Sequence, residues 1–237
     1  MTSLKIARLP SGEPEVFASI QGEGNSAGRP STFVRLSLCN LSCAWCDTRY
    51  TWDWEHYDPN SEIVGVESAE IVWLVTELGV ENVVITGGEP LLQQHGLSVV
   101  AESLVQAGYR IEIETNGTLE PQIALKERVA QWNVSPKLFN SGNALDRRLV
   151  DRPLRWFAGT EQAWFKFVID APTDLEEVAT LVHHYRIPRD RVILMPQGTT
   201  AVELGDRSAW LAEVCARQGY RFSTRMHILL WGDERGR

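Results

Sequence analysis

The sequence predicts an α/β fold in which a mostly parallel sheet is closed or half-closed into a barrel. Three observations predict it. Short apolar or alternating stretches recur along the chain, stretches with helical spacing fall between them, and the residues that carry chemistry follow directly on the strand ends. Residues 31–38 (STFVRLSL) alternate as a strand does and run straight into a loop with three cysteines. Residues 67–78 place Ile71, Leu74, Val75 and Leu78 on one helical face. Residues 82–86 (NVVIT) read as a short buried strand ending at Gly87-Gly88. Residues 97–107 read as a helix, and residues 110–115 (RIEIET), 132–135 and 163–170 (AWFKFVID) as strands. A helix is predicted to start near Thr173, with Glu176 completing a capping box. Residues 191–195 (RVILM) read as a strand, 208–218 as a helix, and 220–230 as a last strand. Sites in such folds gather at the carboxyl ends of strands. That places the cysteine loop after Leu38, Gly87-Gly88 after Ile85, Asn116 after Ile113, Ser135 after Val134 and Gln197 after Met195 on one side.

Bulk composition excludes several classes of function. The 237 residues suit one domain, 1–237, and 43% hydrophobic content supplies a core. A formal net charge of −8 opposes wrapping nucleic acid. No apolar run reaches the roughly 20 residues of a membrane span. The start, Met1-Thr2-Ser3-Leu4-Lys5, lacks the apolar core of a secretion signal, so a cytoplasmic protein without membrane partners is expected. Residues 50–65, rich in Trp, Tyr and acids, form an excursion. It reads either as a surface loop with a small aromatic cluster or as a lid or dimer contact.

Three of the four cysteines fall within eight residues, as Cys39, Cys43 and Cys46; Cys215 stands alone, on a helical face with Leu211 and Val214, and reads as a small buried hydrophobe. In a reducing compartment a tight cysteine cluster points to metal binding or catalysis. The spacing C-x3-C-x2-C brings three thiolates to one centre. Structural zinc takes four ligands, and only His56 or Asp47 is near enough to complete such a set. An iron–sulfur cubane held by three thiolates keeps one iron open for a small molecule.

The loop Cys39-Asn-Leu-Ser-Cys43-Ala-Trp45-Cys46 resembles the signature of radical S-adenosylmethionine (SAM) enzymes, and Gly87-Gly88-Glu89-Pro90 resembles the motif that receives the SAM amino group. Further stretches resemble the 7-carboxy-7-deazaguanine synthase family: Ser19-Ile20-Gln21-Gly22-Glu23-Gly24, Thr32-Phe33-Val34-Arg35, Cys46-Asp47-Thr48, Glu114-Thr115-Asn116-Gly117, Ser135-Pro136-Lys137 and Arg225-Met226-His227-Ile228-Leu229-Leu230-Trp231-Gly232. The resemblance implies a shortened, TIM-like partial barrel of the radical SAM type. It implies a lyase acting on a small pterin, 6-carboxy-5,6,7,8-tetrahydropterin, with release of ammonia. The cofactors it implies are a 4Fe-4S cluster, SAM and Mg2+, with a flavodoxin or ferredoxin as reductant and a homodimer as the assembly. Cys39, Cys43 and Cys46 would ligate the cluster and Thr48 the magnesium, with Asp47 supporting that shell. Trp45, Cys46, Asp47, Gly88, Glu89, Asn116, Ser135, Pro136, Lys137 and Gln197 would face SAM. Ile20, Gln21, Gly22, Arg35, Thr86 and His227 would contact the pterin, with Arg35 clamping its carboxylate, and Glu114 would move a proton. Two rivals share part of the pattern. A glycyl-radical activating enzyme has the same cysteine spacing, and a zinc or iron–sulfur module would need no substrate pocket at all. In this family a small residue commonly precedes the first cysteine; here it is Leu38.

Overall fold

The computed structural model describes residues 2–237. In chain order its elements are β1 Ser3–Ala7, β2 Val16–Ile20, β3 Pro30–Leu36, α1 Pro59–Glu62, β4 Ile63–Glu67, α2 Ser68–Leu78, β5 Asn82–Gly87, α3 Gln94–Gln106, β6 Arg110–Thr115, α4 Ile123–Arg128, β7 Gln131–Val134, α5 Leu145–Arg148, α6 Asp151–Ala158, β8 Ala163–Ile169, α7 Asp174–Tyr185, β9 Val192–Pro196, α8 Ala201–Gln218, β10 Arg221–Phe222 and α9 Met226–Trp231. The sheet runs β10-β9-β8-β7-β6-β5-β3-β1-β4, with β2 hydrogen-bonded to β3. From β3 through β10 every neighbour is parallel. The path opens at β10 and β4, so the parallel part is a partial barrel, closed off at one side by the antiparallel strands β1, β2 and β4.

Period-two alternation decides what each face does. One face carries Val83, Ile85, Ile111, Ile113, Trp132, Val134, Phe165, Phe167, Val192 and Leu194, all buried in one core with Ile71, Val75, Leu97, Leu104, Leu154, Val178 and Leu211 from the helices. Each such side chain contributes about 1.5–3 kcal/mol on burial, which makes this layer the main source of stability. The opposite, concave face carries Thr86, Glu112, Glu114, Gln131, Asn133 and Lys166, which are polar. The segment between β2 and β3 folds into this hollow. There Ser26 Oγ donates to Glu112, Asn25 Nδ2 to Gln131, and Gly24 N to Ser223 Oγ.

Several elements differ from the sequence expectation, each for a local reason. The capping box falls one helix later than Thr173 and Glu176 suggest. Thr173 already has helical dihedrals and caps nothing, whereas Thr200 and Glu203 form the reciprocal pair that starts α8. Asp174 instead accepts from the amides of Asp170 and Ala171. Residues 220–230 are not one strand. Only Arg221–Phe222 pairs with β9, and Met226–Trp231 is helical. The excursion at 50–65 is partly built into the sheet, because Ile63–Glu67 pairs antiparallel with Ser3–Ala7. Asp58 caps the short turn of helix that leads into it. Among the described residues no helix is long and apolar enough to cross a membrane.

Candidate active site

The concave face and the loops at the carboxyl ends of the strands enclose a cavity of about 1330 Å³, open mouth included. Cys39, Cys43 and Cys46 all line it, as do Ile20, Gln21, Gly22, Arg35, Trp45, Asp47, Thr48, Thr86, Gly88, Glu114, Asn116, Ser135, Lys137, Gln197 and His227. Two expected residues do not. Pro136 is buried behind the wall. Glu89 is fully buried and accepts from Leu91 N, Thr115 Oγ1 and Asn116 N at 3.0, 2.9 and 2.7 Å. Glu89 thus braces the end of β5 against the end of β6. Burial pushes its carboxyl above the ordinary value.

Gly87 and Gly88 are glycines because the chain's own backbone approaches them. A Cβ on Gly87, whose φ is +128°, would stand 1.9 Å from the Leu36 carbonyl oxygen, and one on Gly88 would stand 2.0 Å from that of Leu38. Leu38 itself takes a left-handed φ of 77°. That turn swings the chain out of β3 into the cysteine loop, with Leu38 N donating to Thr51 O and Leu38 O accepting from Glu89 N. The loop then sits on the turn that follows β7. Ala44 N donates to Ser141 O, Ser42 N to Asn143 Oδ1, and Trp45 Nε1 to Asn140 Oδ1.

The three sulfurs suit a thiolate-held cluster. Each accepts one N–H: from Leu41 N to Cys39 at 3.5 Å, from Asn143 Nδ2 to Cys43 at 3.3 Å, and from Trp52 Nε1 to Cys46 at 3.3 Å. Burial pushes the Cys39 thiol up to about 12 and raises that of Cys43, so neither is an anion until a metal takes up the charge. A zinc knuckle fits less well. His56 turns away to Asp53, 3.0 Å from its Nδ1, and lines a separate shallow groove. Asp47 is held by Arg225. Among the described residues no three His, Cys, Asp or Glu side chains converge on the position of a single ion.

Across the cavity, Glu114 is oriented from two sides, by Gln21 Nε2 at 3.0 Å and Thr86 Oγ1 at 2.8 Å. Arg35 is anchored through Nε on Glu15 Oε1 at 2.6 Å. Tyr50 Oη donates to the same carboxylate, and Arg235 Nε reaches its other oxygen at 3.2 Å. Asn116 Nδ2 donates to Asn40 Oδ1 of the cysteine loop, and Lys137 Nζ to Ser135 Oγ. The Thr48 hydroxyl lies 3.6 Å from Cys46 Sγ.

Four charged residues interlock at the rear wall. Glu23 pairs with Lys166 and, at 2.9 Å, with Arg225; Arg225 also pairs with Asp47 and donates to Gly198 O at 2.7 Å. Burial alone would raise the Glu23 carboxyl, but Lys166, Arg225 and His227 together hold it well below its ordinary value. Burial would likewise raise that of Asp47, and the Arg225 guanidinium reverses this. His227 is held below its ordinary value, chiefly by burial. Its ring packs on Gly22, where a Cβ would come within 2.1 Å of Nδ1.

The sequence reading missed Lys166, Arg225, Glu23, Asn133 and Trp52, all of which line the cavity. It also missed the wall formed by Phe17 and Phe33, stacked at 5.2 Å between centroids. One signal was available. Lys166 is a lone charge in the middle of an apolar strand, which is tolerated only with a partner.

Residues 34–140 match the family model described as the radical SAM superfamily. A curated relative from Pyrobaculum aerophilum, named 7-carboxy-7-deazaguanine synthase, is 42% identical over 94% of this chain and 96% of its own length. Another of the same name from Hyperthermus butylicus is 41% identical, covering 91% of each chain. This chain belongs to the 7-carboxy-7-deazaguanine synthase family. The crystal structure of QueE from Escherichia coli superposes on this family member with a TM-score of 0.71 at 26% identity, covering 95% of each chain. Streptococcus suis SuiB bound to S-adenosylmethionine, at TM-score 0.55 and 14% identity over 78% of this chain and 48% of its own, shares the fold alone. As a radical SAM synthase of this family, the chain uses an iron–sulfur cluster and SAM.

Proposed function

We propose that this chain is the radical SAM lyase that converts 6-carboxy-5,6,7,8-tetrahydropterin to 7-carboxy-7-deazaguanine, releasing ammonia, in 7-deazapurine and queuosine biosynthesis. The observation that carries it is the sharing of one cavity by three thiols, the Arg35 guanidinium and the Glu114 carboxylate. A 4Fe-4S cluster on Cys39, Cys43 and Cys46, with SAM at its open iron, would supply one-electron reduction and a hydrogen-abstracting group.

The chain's own residues do the positioning. Arg35, gripped through Nε, keeps its two terminal nitrogens for the substrate carboxylate, the geometry a planar fork favours. Ile20, Gln21 and Gly22 form the wall on the pterin side of the cavity, and Thr86 and His227 flank it. Glu114, fixed by Gln21 and Thr86, exchanges a proton with the substrate. Lys137 faces the SAM carboxylate, with Trp45, Asp47, Gly88, Asn116, Ser135 and Gln197 around the remainder. Thr48 would ligate a magnesium ion together with substrate oxygens, a hard oxygen site. Asp47 already gives one oxygen to Arg225 and would support that ion through the other. A flavodoxin or ferredoxin supplies the electron, the chain works as one cytoplasmic domain, and it pairs as a homodimer.

The test is an anaerobic assay of reconstituted protein with SAM, magnesium, a reductant and the carboxylated pterin. Product of the mass and ultraviolet spectrum of 7-carboxy-7-deazaguanine supports the reading. SAM cleavage without that product overturns it.

A further inference from the structure

The N–H donors to the three cysteines come from three different places: the loop itself, the turn after β7, and the aromatic segment after the loop. Two are side chains that substitution can remove. The Asn143 amide has its orientation fixed, because its Oδ1 accepts from Ser42 N at 3.0 Å; the amino end therefore faces Cys43, which it shares with Ser141 Oγ. The Trp52 indole has one donor and no acceptor, and that donor is spent on Cys46. Its ring is held by the backbone bond from Trp52 N to Arg49 O and by the Arg49 guanidinium 5.9 Å away.

From this geometry we infer that Asn143 and Trp52 are positioning residues that set the reduction potential of the thiolate-held cluster. The inference rests on the iron–sulfur reading above. An N–H aimed at a ligand sulfur stabilises negative charge there, and reduction adds negative charge that the sulfurs share. Each bond is therefore stronger in the reduced state, and its loss makes the cluster harder to reduce. Each is expected to change the reduced-to-oxidised ratio at fixed potential by on the order of tenfold, about 59 mV for a one-electron couple.

The experiment is a potentiometric titration, followed by electron paramagnetic resonance, of anaerobically reconstituted full-length protein with iron and sulfide counted. Trp52→Phe keeps the ring and removes the N–H; Asn143→Leu keeps the shape and removes the amide. Trp54→Phe is the control, since that indole belongs to the same segment and donates to no sulfur. The expected result is a lower potential for Trp52→Phe and for Asn143→Leu, with Trp54→Phe unchanged. A fully loaded Trp52→Phe protein with the parent's potential overturns the inference, and so does an equal shift in Trp54→Phe. A second measurement covers a variant that fails to load. Pulsed spectroscopy of the reduced parent carrying 15N-indole tryptophan should show a nitrogen coupling to the cluster, and its absence sinks the inference. A parent that takes up no cluster contradicts the proposed function instead.

Discussion

The carbonyl oxygen of Leu38 stands 2.0 Å from the place a Cβ on Gly88 would occupy. The sequence reading gave the glycine pair to ligand approach; the structure gives it first to the chain's own turn into the cysteine loop. Gly88→Ala must push that turn aside. It should cost more than about 3 kcal/mol, the range of severe backbone clashes. Urea unfolding of the variant and its iron content measure the two consequences, and near-parental values for both would contradict the packing described.

The four cysteines should separate cleanly. Cys39→Ala, Cys43→Ala or Cys46→Ala should each abolish stable loading of iron. Cys215 is buried against Leu211 in α8, away from the cavity. Cys215→Ala should leave the iron count unchanged and lower stability by about 1 kcal/mol, the cost of a small cavity. Iron and sulfide analysis of the four variants checks this.

Glu15 holds Arg35 but does not itself line the cavity. Glu15→Gln keeps the shape and weakens the anchor, so Arg35 loses orientation and charge balance. The expected outcome is a rise of about tenfold in KM for the carboxylated pterin with kcat within about twofold, a loss of roughly 1.4 kcal/mol in binding. Steady-state kinetics decide it. A fall in kcat at constant KM would assign Glu15 a different part.

Acid should weaken the fold through the rear wall. Glu23 and Asp47 are held below their ordinary values, so the unfolded chain binds the additional protons. Their stabilisation is complete above about pH 4–4.5 and is lost as pH falls from there through the depressed folded values. The slope approaches about 1.4 kcal/mol per pH unit for each carboxyl. His227, also held low, acts in the same direction earlier, from about pH 6.5 downward. Glu89, pushed up by burial, works the opposite way and does so above about pH 4.5, before the other two carboxyls begin to titrate in the folded chain. Glu23→Gln should flatten the acid limb of a urea-unfolding series between pH 3 and 5.

What the sequence made legible was whatever local pattern encodes. Alternation in residues 31–38 and 110–115 found β3 and β6, and the strand-end rule collected Cys39, Gly88, Asn116, Ser135 and Gln197 on one side. Patterns that depend on partners far along the chain were not legible. β1 and β4 are five-residue strands whose identity comes from pairing with each other, sixty residues apart. The stretch Met226–Trp231 carries the apolar content of a strand, yet one buried side chain, Ile228, and the landing of His227 on Gly22 set it as a helix. Thr173 and Glu176 had the spacing of a cap, but Thr173 already has helical dihedrals, and the Asp174 carboxylate ties down the turn before it through the amides of Asp170 and Ala171. Lys166 gave a signal without an address, because its partner Glu23 lies 143 residues away.

The bond from Arg225 to Glu23 spans 202 residues. During synthesis Glu23 and Asp47 emerge long before the guanidinium that neutralises them both, and the thiols emerge with them. Until Arg225 is laid down, Glu23 has Lys166 alone, Asp47 is without its guanidinium, and one wall of the pocket is absent. The wall beside the thiols is thus closed only by residues far along the chain, and a fragment ending before Arg225 holds its cysteines in an unfinished vessel.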